Sequence, residues 1–482
     1  MGSKTKEART AQPLHVLLVS FAAQGFISPT LRLGKLLASR GLLVTFTTTQ
    51  DFRKLLEKQN DISTDHPLQF GSGSLRFEFF SDGLPDEGTN RLDVDFYLPV
   101  LEKALREKLP LIVKSQPENG RPTVSCIVNN PFIPWVCDIA EELAVPCATL
   151  WVQSCGVFAT YYHYLHKLVP FPTDDEPEIE IKIPGLPVLK ADELPSFLQP
   201  RRPEKFKFLG KIMLAQFERL PKSFCVLTDG FEALEKDTHG VLSKFCKLRP
   251  IGPLFKGTKT LPAATGDVAV DCIKWLDSRP ASSVVYISFG TIVHLSQQQV
   301  DELAYGVLNS GVSFLWVMRP ARKDFSQTPV DFPEGFLEKV GDKGKVVDWA
   351  PQLQVLGHPA VKCFFTHCGW NSSVETLSFG IPVVCFPHVG DQIMNCKFLV
   401  DVFGVGVRLW RGEPGKVVPR DDVEKCLLEA TVGEKAAELK KNALKWKKAA
   451  EAAVAEGGSS DRNIEEFVEE VRRRSRVTRP GF

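Results

Sequence analysis

Short apolar runs of strand length alternate with helix-forming segments near the N terminus, and this alternation constrains the fold more than any other feature. Val16–Phe21 and Leu42–Thr48 are two such runs, and the segment between them carries leucines at helical spacing. We predict that Ser28 caps this helix and that Pro29 occupies its first position. A strand–helix–strand unit of this kind implies a parallel sheet with helices on its faces. Two more strands are predicted at Val124–Asn129 and Cys147–Trp151, with a helix near Trp135–Leu143 between them.

A break near the middle of the chain separates two regions of this kind. The segment Arg249–Pro253 carries two prolines and a glycine, and Gly257–Gly266 has little periodic signal, so we place the linker here. We expect an α/β fold of two facing, Rossmann-like, doubly wound domains at 1–248 and 249–460, with a C-terminal helix in 461–482 that packs back on the first. Such folds bind ligands at the carboxyl ends of their strands, which places the predicted site in the cleft between the domains.

The second half of the chain repeats the alternation of strands and helices. Ser296 and Gln299 predict a capping box at the start of a helix that runs to about Leu308. Glu434–Ala455 is rich in Ala, Lys and Glu, which predicts a long exposed helix, and a terminal helix is expected at Asp461–Arg474. The predicted strands are Val284–Ser288, Phe314–Met318, Lys345–Asp348, Val361–Phe365, Val383–Phe386 and Val405–Leu409.

Composition and simple motifs exclude several classes of function. The chain of 482 residues carries 59 Lys and Arg against 58 Asp and Glu, so the net charge of +1 predicts no nucleic-acid partner. No apolar run approaches the roughly 18 residues of a membrane helix, so no membrane insertion is expected. Phe21–Phe26 lacks the G-x-G-x-x-G spacing of dinucleotide-binding folds, which argues against an NAD cofactor. The 12 cysteines form no C-x-x-C pair, and we interpret them as buried thiols of a cytoplasmic protein. Nothing in the sequence indicates an oligomeric state.

The segment Trp349–Gln392 is the richest in residues that can bind a ligand. Its strand at Val361–Phe365 leads into the loop Thr366–Trp370, and a helix follows to about Phe379. A glycine-containing loop between a strand and a helix exposes backbone N–H groups at the positive helix end, which suits a diphosphate. Asn371 and Ser372 open this helix, and for an isolated pair of such residues helix capping would be the better interpretation. The crowding of His, Gly, Trp, Asn and Ser into one turn favours ligand binding here.

This segment resembles the signature of plant family-1 UDP-sugar glycosyltransferases. It begins with Trp349-Ala350-Pro351-Gln352, continues through His367-Cys368-Gly369-Trp370-Asn371-Ser372 and Glu375, and ends with Asp391-Gln392, the full 44 residues of that signature. The resemblance extends along most of the chain and includes Ser288-Phe289-Gly290-Thr291. It implies the GT-B fold, inversion at the anomeric carbon, and a reaction that needs neither a metal nor a cofactor. UDP-glucose is the implied co-substrate.

The resemblance also implies a role for each donor-site residue. For the nucleoside, the resemblance implies that Trp349 stacks on the uracil, that Ala350 and Gln352 contact the base edge, and that Glu375 binds both ribose hydroxyls. The residues implied to bind the diphosphate are Thr291, His367, Asn371 and Ser372. Asp391 and Gln392 are implied to bind the sugar hydroxyls, beside Trp370. A carboxylate that accepts hydrogen bonds from neighbouring hydroxyls makes charge-assisted contacts, which fix the orientation of a sugar. The combination of Asp391, Gln392 and Trp370 resembles the pattern of enzymes that use glucose.

Outside the donor segment, the chain resembles the subgroup that esterifies aromatic acids and includes gallate, cinnamate and limonoid glucosyltransferases. The shared segments include Ser81–Pro85, Leu150–Cys155 and Arg411–Glu413. Such enzymes form 1-O-acyl glucose. Small aromatic acceptors are therefore expected, with Gln24, Phe26 and Trp151 as acceptor-site candidates.

One position departs from the family pattern. The family keeps a general-base His in the first loop, where this chain has Phe26, and Asn130 stands where an activating Asp is common. His15 cannot easily replace the base, because it belongs to the start of the first strand and extended chain rises by roughly 3.3 Å per residue. The catalytic residue is therefore not identified from the sequence.

The chemistry of the acceptor decides how much the missing base matters. A phenol with a pKa near 10 is mostly neutral at pH 7, so a general base contributes typically ~10²–10⁴-fold. A carboxylic acid with a pKa near ~4 is already ionised and needs none. An ester-forming glucosyltransferase therefore tolerates Phe26 best. Two alternatives stay open: an enzyme that glucosylates hydroxyl groups with another residue as base, and a nucleotide-sugar binder that Phe26 has impaired as a catalyst.

Overall fold

Two α/β domains, each built on its own sheet, make up the part of the chain that the structure describes. The structure is a computed structural model, and it describes residues 13–60, 63–85, 91, 93–200, 207–256, 267–291, 293–319, 329–409 and 416–477. Arg249 and Pro250, where the linker and the second domain were predicted to begin, instead belong to a strand of the first sheet, Leu248–Pro250. The other part of the predicted linker, Gly257–Gly266, and the segment Arg411–Glu413 lie outside the described residues. Among the described helices, none has both the length and the apolar character needed to cross a membrane.

The first sheet has eight strands in the order β3-β4-β2-β1-β5-β6-β7-β8, and only the β3–β4 pairing is antiparallel. The strand order reverses between β1 and β5, and a reversal of this kind opens a crevice beyond the carboxyl ends of the two strands. The strands are β1 (His15–Val19), β2 (Leu43–Thr49), β3 (Leu68–Phe70), β4 (Gly73–Phe80), β5 (Cys126–Asn129), β6 (Cys147–Trp151), β7 (Ser223–Thr228) and β8 (Leu248–Pro250).

The second sheet is entirely parallel, with six strands in the order β11-β10-β9-β12-β13-β14. Its order reverses between β9 and β12, which gives this domain a ligand crevice of its own. The predicted strands of this half are all present, with bounds that differ by no more than two residues at either end. They are β9 (Val284–Ser288), β10 (Ser313–Val317), β11 (Gly344–Val347), β12 (Val361–Thr366), β13 (Val383–Cys385) and β14 (Gly406–Arg408).

Helices connect the strands and cover the sheets. The long helix predicted at Glu434–Ala455 is present as α15, and the terminal helix predicted at Asp461–Arg474 is present as α16. The helices are α1 (Gln24–Ser39), α2 (Arg53–Asn60), α3 (Val94–Glu118), α4 (Val136–Glu142), α5 (Cys155–Leu165), α6 (Lys207–Glu218), α7 (Lys236–Leu242), α8 (Asp267–Asp277), α9 (Gln297–Ser310), α10 (Phe336–Val340), α11 (Gln352–Gly357), α12 (Trp370–Phe379), α13 (Gln392–Lys397), α14 (Arg420–Thr431), α15 (Gly433–Val454) and α16 (Ser459–Val477).

The predicted start of the first helix is wrong. Helix α1 begins at Gln24, and Pro29 lies inside it rather than at its first position. A proline in a helix has no N–H for the carbonyl four residues earlier, so Pro29 leaves the carbonyl of Gly25 without its intrahelical donor. This carbonyl instead accepts a hydrogen bond of 3.1 Å from Nδ2 of Asn371 in the second domain. The position of Pro29 inside α1 therefore allows a contact between the two domains.

The predicted capping box at α9 is half right. The Ser296 hydroxyl accepts the N–H of Gln299 at 3.3 Å, as expected of an N-cap. The side chain of Gln299 does not return to Ser296. It accepts the N–H of Val418 at 2.8 Å and donates to the carbonyl of the same residue, so it fastens the segment before α14. The Gln299 side chain therefore binds the backbone N–H and carbonyl of Val418 and not the backbone N–H of Ser296.

Helix α16 of the C-terminal segment packs on the first domain, against strand β8. The Phe467 ring stacks on Phe224 of β7, with 6.0 Å between the centroids. Glu470 is buried among cations: it pairs with Lys247, and it lies 3.5 Å from Arg249 and 3.0 Å from Arg474. Opposite charges held this close favour the ionised carboxylate and lower the pKa of Glu470 to about 2 against the penalty of burial.

We predict that Glu470→Gln lowers the free energy of unfolding by roughly 2 kcal/mol at neutral pH, because it removes charged hydrogen bonds from a buried group. The pKa of Glu470 is lower in the folded state than in the unfolded chain. The stabilisation is therefore fully present above about pH 5, and it is lost as the pH falls toward 2. Denaturant unfolding of both proteins between pH 3 and 8 measures this difference.

Glu469→Gln is the matched control, because Glu469 lies on the exposed side of the same helix and pairs with Arg472. It is expected to change the stability by no more than about 0.5 kcal/mol at any pH. Equal effects of the two variants, or a Glu470→Gln effect that grows as the pH falls, would contradict the assignment of Glu470.

Candidate functional site

The reversal point of the second sheet holds the loop that was predicted to bind a diphosphate. Ser288 at the end of β9 lies opposite Thr366 at the end of β12, so the loops that follow these two strands are neighbours. The loop after β12 leads into α12, whose N-cap is Gly369. The alternative in which Asn371 or Ser372 caps this helix is therefore wrong. Because Gly369 has no side chain to cap the helix, the first N–H groups of α12 are available to an anion.

His367 stands between two glycines at this point. A β-carbon at Gly290 would lie 2.6 Å from its Nε2 atom, and one at Gly369 would lie 2.5 Å away, so only glycine fits at both positions. Burial lowers the pKa of His367 to about 3, and the neighbouring His388 and Arg319 add to the effect. The imidazole is therefore neutral at pH 7. Its Nδ1 atom has no hydrogen-bond partner among the described residues, which leaves it available to a ligand.

Gln352 forms hydrogen bonds with two other side chains of the predicted nucleotide site and with one residue that was not predicted. Its amide donates to the Ser372 hydroxyl at 2.9 Å and to a carboxylate oxygen of Glu375 at 2.7 Å. Its carbonyl oxygen accepts the hydroxyl of Tyr286, a residue of β9, at 3.2 Å. The residues assigned to the base edge, the ribose and the diphosphate are thus already joined in one hydrogen-bonded group.

An arginine of the first domain completes this group. Nη2 of Arg32, on α1, lies 2.6 Å from Oε1 of Glu375, and the two side chains are only 13% and 4% exposed. Arg32 also acts on the buried carboxyl of Asp229: burial raises the pKa of Asp229, and the arginine charge opposes that rise. A buried carboxylate needs a compensating charge or donors, and Glu375 has both. The predicted ribose contact is therefore already paired across the cleft.

The residues predicted to hold the sugar are positioned by other polar side chains. Asp391 accepts a hydrogen bond of 2.8 Å from Asn395 and another from Gln153 of the first domain. Burial nevertheless raises the pKa of Asp391 to about 6, so the carboxylate predominates at pH 7. The carbonyl oxygen of Gln392 accepts the N–H groups of His388 and Val389 at 2.9 and 3.2 Å. That arrangement leaves the amide N–H groups of Gln392 for a ligand.

The other predicted donor-site residues fall into two groups. Thr291 is exposed in the loop after β9, and Trp349 is half-buried before the buried Ala350, so both can contact a ligand. Trp370 is 4% exposed, and its indole N–H donates to the carbonyl of Asp229 at 2.9 Å. The Trp370 ring therefore anchors α12 to the first domain, which leaves its backbone as the part that a sugar can reach.

The reversal point of the first sheet lies across the cleft and holds the acceptor-site candidates. The Phe26 and Phe132 rings are 4.4 Å apart, and both contact Phe21. Asn130 is buried and donates to the Ser20 hydroxyl at 3.2 Å, which makes it a structural partner of the loop after β1. Gln24 donates to Ser28 at 2.9 Å, and its carbonyl oxygen has no partner among the described residues.

Two side chains are excluded from direct contact with an acceptor. Trp151 is fully buried, packs against Phe158 and Phe217, and donates its indole N–H to the carbonyl of Ser154 at 2.9 Å, so it is a core residue and not the acceptor contact that was predicted. His15 is also fully buried, and its two ring nitrogens lie 2.8 Å from Pro122 and Thr45. It therefore cannot serve as the missing base, as the sequence indicated.

Several residues of the site were not found from the sequence. They are Arg32, Tyr286 and Asn395, together with Gln153 and His388. His388 is half-buried, and desolvation lowers the pKa of its imidazole to about 4. Each of these residues stands in an otherwise ordinary helix, strand or loop. Asn395 had one usable signal: it lies one helical turn after Asp391.

Comparisons with known proteins agree with this fold. The family described as UDP-glucoronosyl and UDP-glucosyl transferase matches residues 253–432. The chain is 58% identical to a gallate 1-beta-glucosyltransferase of Punica granatum, over 96% of this chain and 89% of that protein. It is 54% identical to a cinnamate beta-D-glucosyltransferase of Fragaria ananassa, over 95% and 83% of the two chains. The structure of Os79 from O. sativa in complex with UDP is similar, with a TM-score of 0.80, 30% identity and coverage of 95% of this chain and 100% of that one. The fold is GT-B.

We predict that Gly369→Ala weakens the binding of UDP at least about 10-fold, because the new β-carbon lies 2.5 Å from Nε2 of His367 and displaces the ring. The backbone of Gly369 has φ −59° and ψ 144°, which alanine adopts without strain, so the effect is confined to the contact. Isothermal titration calorimetry with UDP measures the dissociation constant.

Gly240→Ala on α7 is the matched control, since a β-carbon there meets no atom within 4 Å. Its affinity for UDP is expected to equal that of the unmodified chain. An unchanged affinity in a folded Gly369→Ala protein would remove His367 from the diphosphate site.

Proposed function

This chain belongs to the family of UDP-sugar-dependent glycosyltransferases, and on that premise we propose that it transfers glucose from UDP-glucose to the carboxylate of an aromatic acid. The acceptor is of the gallate or hydroxycinnamate type, and the product is the 1-O-β-glucose ester. The names of the two curated relatives support this acceptor class. The observation that carries the proposal is the N terminus of helix α1, next to Phe26. Its positive electrostatic potential can bind a carboxylate that is already ionised, so no base is needed at this position.

The N terminus of α1 suits an acceptor carboxylate. The helix has 16 residues, its N-cap Ala23 has no side-chain cap, and its first turn contains no acidic residue. The positive end of the helix is therefore not neutralised by the chain itself. Phe26 lies in this first turn, and its ring and that of Phe132 provide an apolar surface for an aromatic acid. We propose that the carboxylate lies at the helix end and the aromatic ring against Phe26.

An ionised acceptor makes the absence of a base tolerable. A benzoate or cinnamate carboxyl with a pKa near ~4 has lost its proton at pH 7, so no group of the protein has to remove one. In the proposed reaction, a carboxylate oxygen forms a bond to the anomeric carbon of glucose. The bond between that carbon and the β-phosphate oxygen breaks, and its electron pair leaves with UDP. Attack from the side opposite to UDP inverts the anomeric centre.

The second domain binds the donor and stabilises the leaving group in this proposal. The free N–H groups at the start of α12, with Asn371, Ser372, Thr291 and the neutral His367, hold the diphosphate. Trp349, Ala350, Gln352 and Glu375 bind the nucleoside, and Asp391 and Gln392 bind the glucose hydroxyls. Hydrogen-bond donors fixed before the reaction stabilise the developing charge on UDP without reorganisation. We therefore propose metal-independent transfer, with UDP-glucose as a co-substrate and no cofactor.

We predict alkali-labile glucose adducts from gallate and cinnamates and none from isosteric phenols that lack a carboxyl group. The reason is that only the acids are ionised at pH 7. Mass spectrometry before and after mild alkali distinguishes an ester from a glycoside. Alkali-stable phenol adducts would contradict the proposal and would show that another residue acts as the base. No adduct from a protein that still binds UDP-glucose would favour the non-catalytic binder.

Phe26→His is the informative variant in the same assay, because it supplies the family's general base. It is expected to raise phenol glucosylation by roughly 10²–10⁴-fold and to leave ester formation within a few-fold. A comparable gain in ester formation would show that an ionised acceptor also needs the base.

We predict that Asp391→Asn lowers kcat/KM for UDP-glucose roughly 10- to 100-fold and changes the dissociation constant of UDP less than about 3-fold, because UDP lacks the glucose that Asp391 binds. The unmodified enzyme should also lose kcat/KM as the pH falls through about 6, where Asp391 gains a proton, although the acceptor is still ionised there. The variant should lack this acid limb. Steady-state kinetics between pH 5 and 8 and calorimetry with UDP make both comparisons.

Glu375→Gln is the matched comparison, because Glu375 is assigned to the ribose. It should weaken UDP itself by roughly 10-fold or more. Equal losses of UDP affinity in the two variants would overturn the assignment of Asp391 to the sugar, and unchanged UDP affinity in Glu375→Gln would overturn the ribose assignment.

A further inference from the structure

Three cysteines from three different elements meet beneath the donor site. Cys368 belongs to the loop before α12, Cys385 ends β13, and Cys396 belongs to α13. All three residues are fully buried, and their sulfur atoms lie within 4.8 Å of one another. The cluster is therefore shielded from water, and it is formed only by the tertiary fold.

The backbone of the phosphate-binding loop aims one of these thiols inward. Cys368 has a φ of +65°, in the left-handed region that a non-glycine residue rarely adopts. Its N–H donates to the Thr366 hydroxyl at 3.2 Å, and its carbonyl accepts Nδ2 of Asn395 at 3.0 Å. Asn395 immediately precedes Cys396 in α13 and also holds Asp391. The thiols thus connect the loop that faces the diphosphate with the helix that follows the sugar-binding residues.

The geometry of the cluster fits a thiophilic cation. With a metal–sulfur bond of about 2.3 Å, three ligands of a tetrahedral ion have sulfurs about 3.8 Å apart. The observed separations, at most 4.8 Å, need a contraction of no more than about 1 Å. Thiolates prefer Zn²⁺ and Cu⁺ over hard cations such as Mg²⁺ and Ca²⁺.

The surrounding charges also suit this chemistry. Binding of Zn²⁺ by three thiols releases three protons and leaves a complex of charge −1. Arg408 acts on Cys396 with its positive charge, and two of its buried nitrogens, Nε and Nη2, have no hydrogen-bond partner among the described residues. Asp401 acts on the same thiol with the opposite sign, but it is paired with Lys397 at 2.9 Å. Arg408 is thus placed to compensate the charge of the bound ion.

We propose that Cys368, Cys385 and Cys396 form a buried three-thiolate binding site for one thiophilic cation of the Zn²⁺ or Cu⁺ class. The bound ion ties the diphosphate loop to the sugar-binding helix. This site is separate from the proposed site of glucose transfer, for which we proposed a metal-independent reaction. Its occupation stabilises the second domain, because an ion that binds only the folded chain shifts the unfolding equilibrium.

A second cluster of possible ligands is less suitable. Sγ of Cys155 lies 3.1 Å from Nε2 of His239, and Glu235 is the third member of this group. The two carboxylate oxygens of Glu235 already accept the N–H groups of Cys155 and Gly156, at 3.0 and 2.9 Å. They cap helix α5, so binding of an ion would expose that helix end.

The test is a titration of the reduced full chain with Cd²⁺ as a spectroscopic probe, followed by Zn²⁺ in competition with a chromophoric chelator. We expect one equivalent of Cd²⁺ to bind with the charge-transfer absorbance of three thiolates. One equivalent of Zn²⁺ should also bind and raise the Tm. Cys396→Ala should weaken Zn²⁺ binding roughly 100-fold or more. Cys363→Ala should not change it, since Cys363 is equally buried in β12 but lies outside the cluster.

Three results would overturn the proposal. They are the absence of stoichiometric Cd²⁺ and Zn²⁺ binding by the unmodified chain, unchanged binding in a folded Cys396→Ala protein, and loss of binding in Cys155→Ala in place of Cys396→Ala. The last result would assign the ion to the Cys155–Glu235–His239 group. If Cys396→Ala does not fold, as judged by circular dichroism, Cys385→Ala makes the same comparison in another element of the cluster.

Discussion

The buried carboxylate of Glu375 is the interaction on which the rest of the cleft depends. A charge this far from water is stable only because Arg32 approaches from the first domain and Gln352 donates from the second. The same ion pair therefore joins two domains whose sheets share no strand. A nucleoside that binds Glu375 through its ribose must add its hydroxyls to these contacts or replace some of them. Binding of the donor therefore changes the contacts that join the two domains at Glu375.

A second contact sets the alignment of the two helix ends in the cleft. Pro29 removes an intrahelical donor in α1, and the freed carbonyl of Gly25 accepts Asn371 at the start of α12. Helices α1 and α12 both follow a strand at the reversal point of its sheet, and neither has a side-chain cap. Two positive helix ends thus lie on opposite sides of the same small space. This arrangement suits a reaction in which an anionic nucleophile displaces an anionic leaving group, because both anions need compensation.

The sequence predicted all six strands of the second sheet but only four of the eight strands of the first, because β3, β4, β7 and β8 were missed. It also did not predict the side-chain contacts between distant segments. Buried parallel strands are continuous apolar runs, which a local pattern identifies. The donor-site residues between Trp349 and Gln392 were assigned through the resemblance of that segment to a family signature. The partner of Glu375 lies 343 positions away, and no local pattern encodes such a pairing. Trp151 was misassigned because the end of a strand looks the same whether its last side chain enters the core or the cleft. The cysteine cluster escaped notice because its members have no motif spacing and meet only in the folded chain.

Phe26, at the position of the family's general base, affects the deprotonation of the acceptor and not the departure of UDP. When the acceptor is a hydroxyl group, removal of its proton and departure of UDP both limit the rate, and a base and a leaving-group site are both required. An ionised carboxylate needs no base, but it is a weaker nucleophile than a deprotonated hydroxyl group, because its negative charge is shared by two oxygens. More of the rate must then come from orientation of the acceptor and from stabilisation of UDP. An aromatic ring at position 26 orients an aromatic acid, whereas a histidine there would place a polar group against its ring. Under the proposed function, the absence of a base at position 26 and the aromatic lining of the first reversal point both suit the same ionised aromatic acceptor.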